Sequence, residues 1–375
     1  MARLLFIVNV DWFFLSHRLP IAVAAVRQGY EVHIATGITD RRAELEAQGL
    51  VVHPLPLERS GMHPARELRS LWAMGAVLRS VRPDVVHLVT IKPAVFGGVL
   101  ARLMRVPGVI VAVPGLGFAF RARGPRAVAV RALLGLLYRF ALGRRRLLAL
   151  FQNPDDRDRL IGFGGLRREQ CVLVRGSGVD LGLFRPRPAP DGPVVAVLAA
   201  RMLRDKGVEE FVAAAALLAA RRVPVRLCLV GAPDPGNRAS LTEEQLEHWR
   251  QHGPVEVWGH HDRMADVFGR CHMVVLPSYG EGLPKVLLEA AACGRAVVTT
   301  DVPGCRDAIE QGVTGLLVAV GDAHALAAGI ERLVLDEPLR SAMGRAGRAL
   351  AEREFGIERV VALHLDSYRR VLEAA

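Results

Sequence analysis

Residues Val275–Ala292 read VLPSYGEGLPKVLLEAAA. The apolar start ends at Pro277 like a buried strand, and a loop with Gly280, Glu281 and Gly282 follows. A helix is expected from near Pro284, because proline suits the first helical position. Strand, glycine-lined loop and helix in that order form one βα unit of a parallel sheet. The free N–H groups from Lys285 onward make a ready phosphate seat. Glu281 lies just before the helix and Glu289 about two turns inside it, up to ~12 Å apart along the axis. That spacing is too long for a shared proton and suits gripping two hydroxylated ends of one ligand. Val286–Leu288 and Ala290–Ala292 surround Glu289 with apolar residues, so its carboxylate needs a partner.

Outward from this segment the same alternation recurs. Val194–Ala199, Val225–Val230, Val255–Trp258 and Ala296–Thr299 are further candidate strands in the second half. Leu4–Val8, Glu31–Ala35, Val51–Leu55, Val85–Val89, Val109–Val113 and Leu147–Phe151 are candidates in the first. Gly29 and Gly49 close the intervening helices at 20–28 and 41–48, where a C′ glycine is expected. Between the halves, Leu181–Pro193 reads LGLFRPRPAPDGP, a semi-rigid linker. The expected fold class is therefore α/β with two consecutive Rossmann-like domains, 1–185 and 186–375, the last helix able to cross back to the first. Ligands in such sheets bind beyond the carboxyl ends of the strands, so two facing sheets would form one deep cleft.

A length of 375 residues fits two domains. With 51% hydrophobic and 23% charged residues, the chain is an ordinary globular one and neither disordered nor fibrous. Mean hydropathy is positive (+0.24), yet no apolar run approaches the ~18 residues of a spanning helix. No secretory signal is visible at the N-terminus. The 5 cysteines lack zinc or C-x-x-C spacing and read as reduced thiols of a cytoplasmic protein. Charge is uneven. Residues 1–185 hold 27 Lys+Arg against 13 Asp+Glu, a net +14, and the rest hold 22 against 25, a net −3, which sum to the chain's +11. Between Asp84 and Asp155 there is no acid at all. Such a field draws phosphates, on a small substrate, a nucleic acid or an anionic bilayer.

After the strand at 194–199 comes Arg201-Met-Leu-Arg-Asp-Lys206-Gly207. A guanidinium fork and an ammonium at a strand-to-helix turn can hold a diphosphate. Arg201, Lys206-Gly207 and Glu281-x7-Glu289 together resemble the retaining family-4 glycosyltransferases of the GT-B fold. PGLGFAF at Pro114–Phe120, KGVEEF at Lys206–Phe211, LPSYGEG at Leu276–Gly282 and CGRAVVTTDVPGCRDAI at Cys293–Ile309 extend the resemblance over most of the chain. They point to a bacterial subgroup that glycosylates undecaprenyl-diphosphate-linked sugars.

The resemblance implies transfer of a sugar, an N-acetylhexosamine by analogy, from a UDP-sugar to a polyprenyl-diphosphate-linked or other cell-surface glycan. Arg201 and Lys206 would bind the donor diphosphate, supported by Gly282, Leu283, Pro284, Lys285 and Val286 at the helix start. Glu281 would meet the donor sugar, Glu289 the ribose, and Arg263 and Met264 the base. Glu281, Arg201 and Lys206 form the expected catalytic set. Acceptor contacts are expected from Asp11, His17 and Arg18 in the first βα turn, from His87 and Lys92 in DVVHLVTIKP, and from Gly115. Many relatives place a histidine just before the Gly-x-Gly of the first domain, where this chain has Pro114. No histidine base is therefore assigned. Front-face attack needs little from one, because the leaving phosphate can take the acceptor proton.

No metal or other cofactor is expected. Asp156-Arg-Asp158 spells an acidic pair, but residues i and i+2 point ~200° apart on a helix. The stretch Arg121–Arg146 combines an apolar stripe (Val130, Leu133, Leu134, Leu137, Phe140) with arginines. It is the expected contact with an anionic inner-membrane surface. Two other readings share some of these features. A nucleotide-sugar 2-epimerase has the same architecture and would act without an acceptor. A nucleic-acid-binding protein would use the basic half but would want aromatics interleaved with arginine, and aromatics are only 6%. No nucleic-acid partner is expected.

Overall fold

The computed structural model describes residues 1–57, 64–115 and 125–373, without the side chains of residues 64 and 125–131. Two compact units divide the chain, one formed by Met1–Ser177 with Glu358–Ala375 and the other by Gly178–Ile357.

The first unit is built on β1 (Arg3–Val10), β2 (Glu31–Gly37), β3 (Val51–Pro54), β4 (Val85–Val89), β5 (Gly108–Val113), β6 (Leu147–Phe151) and β7 (Cys171–Leu173). Their order is β3-β2-β1-β4-β5-β6-β7, and every pairing is parallel. Every residue of β4, β5 and β6 is buried, as expected for strands with helices on both faces. On one face, helices Pro64–Val81, Gly98–Leu103 and Pro125–Leu142 share a core with β4 and β5 through Met74, Leu78, Ala101, Tyr138 and Ala141. On the other, the C-terminal helix Ile357–Glu373 inserts Val360, Leu365, Tyr368 and Val371 among Leu4, Phe6, Phe14 and Ile21.

The second unit carries β8 (Val194–Ala199), β9 (Val225–Val230), β10 (Glu256–Gly259), β11 (Met273–Leu276), β12 (Ala296–Thr300) and β13 (Gly315–Val318). Their order is β10-β9-β8-β11-β12-β13, again all parallel. The strand order reverses between β1 and β4 in one sheet and between β8 and β11 in the other. These are the switch points where open α/β sheets place their ligands.

The proline-rich stretch is not a free hinge. Phe184 is buried in the core of the second unit, 6.2 Å from the Phe268 ring, and Arg187 pairs with Asp266 at 3.1 Å. The division falls earlier, between Ser177 and Gly178. There the outgoing and returning strands clasp each other, Val179 N donating to Phe355 O (2.8 Å) and Ile357 N to Val179 O (3.0 Å). Gly178 has φ +83°, and a Cβ there would lie 2.6 Å from Ile357 Cδ1 and 2.9 Å from its Cα. Only glycine fits that crossing.

Candidate active site

The switch point of the second unit is where the sequence motifs meet. The β8 loop carries Arg201 and Lys206, and the β11 loop carries Ser278–Leu283. Gly207 closes the first loop at φ +72°, and a Cβ on it would sit 2.1 Å from Pro277 O. The two loops thus touch backbone to backbone. Asp205 O accepts from Ser278 Oγ (3.0 Å) and from Tyr279 N (2.9 Å), tying them together. Lys206 Nζ lies 2.5 Å from Glu281 Oε1, and Ser278 Oγ is 2.8 Å from the same oxygen, which competes with Asp205 O for its one proton. Gly304 lets the next loop approach the backbone of Glu281 and Gly282, where a Cβ would be 2.4 Å from Glu281 O.

Arg201 Nη1 reaches Asp234 Oδ2 at 2.6 Å. Asp234 belongs to the loop after β9, which runs beside the β8 loop. Met202 N donates to Ala232 O (3.0 Å) and Arg204 N to Ala239 O (2.9 Å). Helix Lys285–Ala292 follows an extended Pro284, so the proline is the N-cap and not the first helical residue. Glu289 is buried on this helix and has Lys285 Nζ at 3.3 Å. Burial raises its pKa, and the nearby Lys285 charge opposes that rise. Leu283 is buried and Val286 partly buried against the core, while Gly282 lies at the loop. Arg263 and Met264 start helix Met264–Gly269 beyond β10. Arg263 pairs with Asp266 at 2.9 Å and lines an open depression with His260, His261 and Arg270, whose guanidinium stacks 4.3 Å over the Trp258 ring.

Ser278, Asp205 and Asp234 are contributions that the sequence reading did not single out. Ser278 stood inside the quoted motif, but nothing in its spacing marked it as the holder of Glu281. Asp234 lies 33 positions from Arg201, and only the pairing of β8 with β9 brings their loops together.

In the first unit the expected acceptor residues scatter, and three require correction. Asp11 is fully buried, and its carboxylate accepts from Thr39 N (2.7 Å), Thr39 Oγ1 (2.9 Å), Trp12 N (2.8 Å) and Arg41 N (3.3 Å). It pins the loop at residues 39–41. His87 lies in the middle of β4, fully buried, with its Nδ1 2.7 Å from Tyr368 Oη and its ring stacked on His364. Burial, His364 and Arg18 all push its pKa well down, so it stays neutral. Arg18 is buried between two helices, with Nη1 donating to His17 O (2.9 Å), and burial lowers its pKa to about 10. All three side chains point into the unit, so none presents itself to an acceptor. His17 stacks on Phe13 at 4.2 Å and is half-buried. Lys92 pairs with Glu67 at 2.6 Å. Gly115, at φ +147°, is the last residue described before 116.

The PGLGFAF segment from 116 onward, with Arg121 and Arg123, lies outside the described residues. So do the side chains of Val130 and Arg131 in the expected apolar stripe. Within that basic stretch Arg144 is a structural tether, donating to Ala101 O, Val106 O and Pro107 O at 2.5–3.3 Å. Asp156 and Asp158 diverge as expected. Asp156 is buried against Asn153, and Asp158 pairs outward with Arg157 and Arg168. Among the described residues no helix is long and apolar enough to cross a membrane.

Two parallel sheets in separate units, with a charged loop pair at the second switch point, define the GT-B class of sugar-transferring enzymes. Residues 193–336 match the family described as glycosyl transferases group 1, and residues 3–153 match glycosyl transferase 4-like proteins. The chain belongs to these group 1, 4-like glycosyltransferases. It is 27% identical over 348 residues to N,N'-diacetylbacillosaminyl-diphospho-undecaprenol alpha-1,3-N-acetylgalactosaminyltransferase of Campylobacter jejuni, covering 87% of this chain and 90% of that protein. In structure it is similar to sucrose-phosphate synthase from Thermosynechococcus elongatus, with TM-score 0.81, 21% identity and full coverage of both chains. It is also similar to Anabaena HepE in complex with UDP and glucose, with TM-score 0.76, 18% identity and coverage of 98% of this chain and 99% of that one.

Proposed function

We propose that this glycosyltransferase moves a sugar, with retention, from a UDP donor to a polyprenyl-diphosphate-linked glycan at an anionic inner-membrane surface. The observation that carries the reading is the pairing of Lys206 with Glu281 at the second switch point, beside a helix N-terminus. A cation able to hold a diphosphate and a carboxylate able to accept from a sugar diol stand side by side there, which supports this reading. The Campylobacter relative is named for a diphospho-undecaprenol acceptor, and HepE was solved with UDP. Both support the choice of donor and acceptor class.

In the proposed reaction an acceptor hydroxyl attacks the anomeric carbon on the face from which the diphosphate leaves. The bond from that carbon to the diphosphate oxygen breaks, and the acceptor proton passes to the departing phosphate. Negative charge grows on the leaving group, and in this reading Lys206, Arg201 and the N–H groups at Lys285 and Val286 offset it. Arg201 leaves Asp234, and Lys206 leaves Glu281, to do so. Glu281 is then free to accept from donor-sugar hydroxyls, and Glu289 from the ribose. The same set of roles makes a divalent ion unnecessary for neutralising the diphosphate.

The test is UDP titration calorimetry on Lys206→Gln and Lys206→Ala. Loss of a charge-assisted contact worth roughly 1.5–3 kcal/mol should weaken UDP about 10–150-fold. The melting temperature is followed in parallel, because Glu281 loses a partner in both variants. Unchanged UDP affinity in a folded variant overturns the donor assignment. A panel of UDP-sugars with undecaprenyl-linked glycans, read by mass spectrometry, identifies the sugar. Turnover of the donor without any acceptor would instead favour an epimerase.

A further inference from the structure

We infer that the first unit docks on anionic lipid through the outer face of its three-helix layer, centred on Trp72 and Leu68 of helix Pro64–Val81. This rests on the membrane reading above and names a surface that the basic stretch 121–146 alone does not supply.

Helix 64–81 turns Met74, Leu78 and Val81 into the core. Its opposite face exposes Arg66, Leu68, Arg69, Trp72 and Arg79. Trp72 is 77% exposed and Leu68 66%, one turn apart on the same side. Among the described residues nothing covers the Trp72 ring. Leu103, on the neighbouring helix 98–103, and Leu133, Leu136 and Phe140, on helix 125–142, are exposed too. The three helices lie side by side over one face of the sheet, with Arg102 stacked 4.7 Å over the Phe140 ring. Six large apolar side chains are thus exposed on the three helices of one layer, and the Trp72–Leu68 pair, one turn apart, forms the centre of an apolar patch.

Charge selects the occupant. Arg66, Arg69, Arg79 and Arg139 are exposed on these helices, and Arg105 and Arg145 in the loops that follow two of them. The acids in the span from 64 to 154 are Glu67, paired with Lys92, and Asp84, which accepts from Arg3 N at 2.7 Å. No carboxylate is left among the described residues of this layer to repel an anionic surface. A protein partner would be expected to meet mixed charge, and single-stranded nucleic acid would want a row of stacking aromatics. Tryptophan with leucine, ringed by arginine, is the composition that lies in a lipid headgroup boundary.

The experiment measures binding of the full chain to two kinds of vesicle, without nucleotide or acceptor. One kind is pure phosphatidylcholine and the other contains phosphatidylglycerol. A wrong donor assignment would leave the result untouched, and UDP affinity serves as the folding control. Wild type should prefer the anionic vesicles. Replacing Arg66, Arg69 and Arg79 together by Gln should weaken binding on the order of a hundredfold at low salt and little at high salt. Trp72→Ser with Leu68→Ser should weaken it about tenfold or more at both salts, because the lost term is apolar burial. The rise in tryptophan emission on vesicle addition should vanish in Trp72→Phe. Equal binding to neutral and anionic vesicles overturns the inference, as does wild-type binding by the Trp72→Ser, Leu68→Ser variant. Sedimentation showing that this variant loses self-association, with no vesicle binding by wild type, would assign the face to a second copy instead.

Discussion

At the first switch point, between β1 and β4, the polar residues of the loops turn inward. Asp11 holds a neighbouring loop, and Arg18 and His87 sit under the C-terminal helix. At the second, between β8 and β11, the equivalent loops keep Lys206, Glu281 and Arg201 partly exposed and paired by ions that a ligand can exchange. One strand order therefore serves two ends. The topology decides where a ligand can bind, and the loop chemistry decides whether binding or rigidity results. Glycine serves both units: Gly37 in the first, where a Cβ would lie 2.9 Å from Asn9 O, and Gly207 and Gly304 in the second allow backbone contacts that no side chain could enter.

The strongest way to break this contrast is Gly207→Ala. The added Cβ meets Pro277 O in a left-handed backbone, so the second unit should lose ~4 kcal/mol or more. Urea unfolding followed by circular dichroism checks this, and a variant as stable as wild type would mean that the loops have slack. Acid should strike the first unit instead. His364, with its pKa lowered by burial to about 3, and His87 are held neutral in the fold, so the unfolded chain binds more protons. Stability should therefore fall as pH drops from ~6.5 toward ~3, with His364 alone contributing on the order of 5 kcal/mol. His364→Phe should flatten that slope in pH-dependent urea midpoints, and an already flat wild-type profile would remove the histidines from the account.

Smaller effects sharpen the second site. Glu289→Gln should weaken uridine and UDP alike by ~1–2 kcal/mol, since a ribose contact is lost and the phosphate contacts are kept. A variant that loses UDP affinity but keeps uridine affinity would move Glu289 to the phosphates. The smallest effect concerns chelation. Turnover should be the same with and without EDTA, because the offsetting charges belong to side chains and a helix N-terminus. Loss of activity restored by Mg²⁺ or Mn²⁺ would reopen the role of Asp156 and Asp158.

Much of the fold was readable along the chain because parallel strands buried on both faces are short apolar runs. The edge strands β7 and β13 escaped notice. Cys171–Leu173 spans three residues and is only partly buried, and Gly315–Val318 opens with glycine. The loops at the second switch point were legible because cations, glycines and carboxylates cluster within single loops. The surroundings of the residues expected to meet an acceptor were not, for a geometric reason. His87 lies two residues before the end of β4, where a strand side chain faces a covering helix and not a ligand. A motif match cannot register that offset, and Tyr368, which receives the histidine, lies 281 positions away.

The clasp between Val179 and the Phe355–Ile357 segment makes the second unit an insertion in the first. Its two ends are hydrogen-bonded neighbours, so residues 178–357 form a continuous module that closes on itself. A gene segment with those limits could be lifted out and replaced by the corresponding segment of a relative without cutting a strand of either sheet. The return of the chain as helix 357–373 then becomes the common socket. It packs on β1 and β4 of the first unit, so the second unit can be exchanged while that scaffold stays the same.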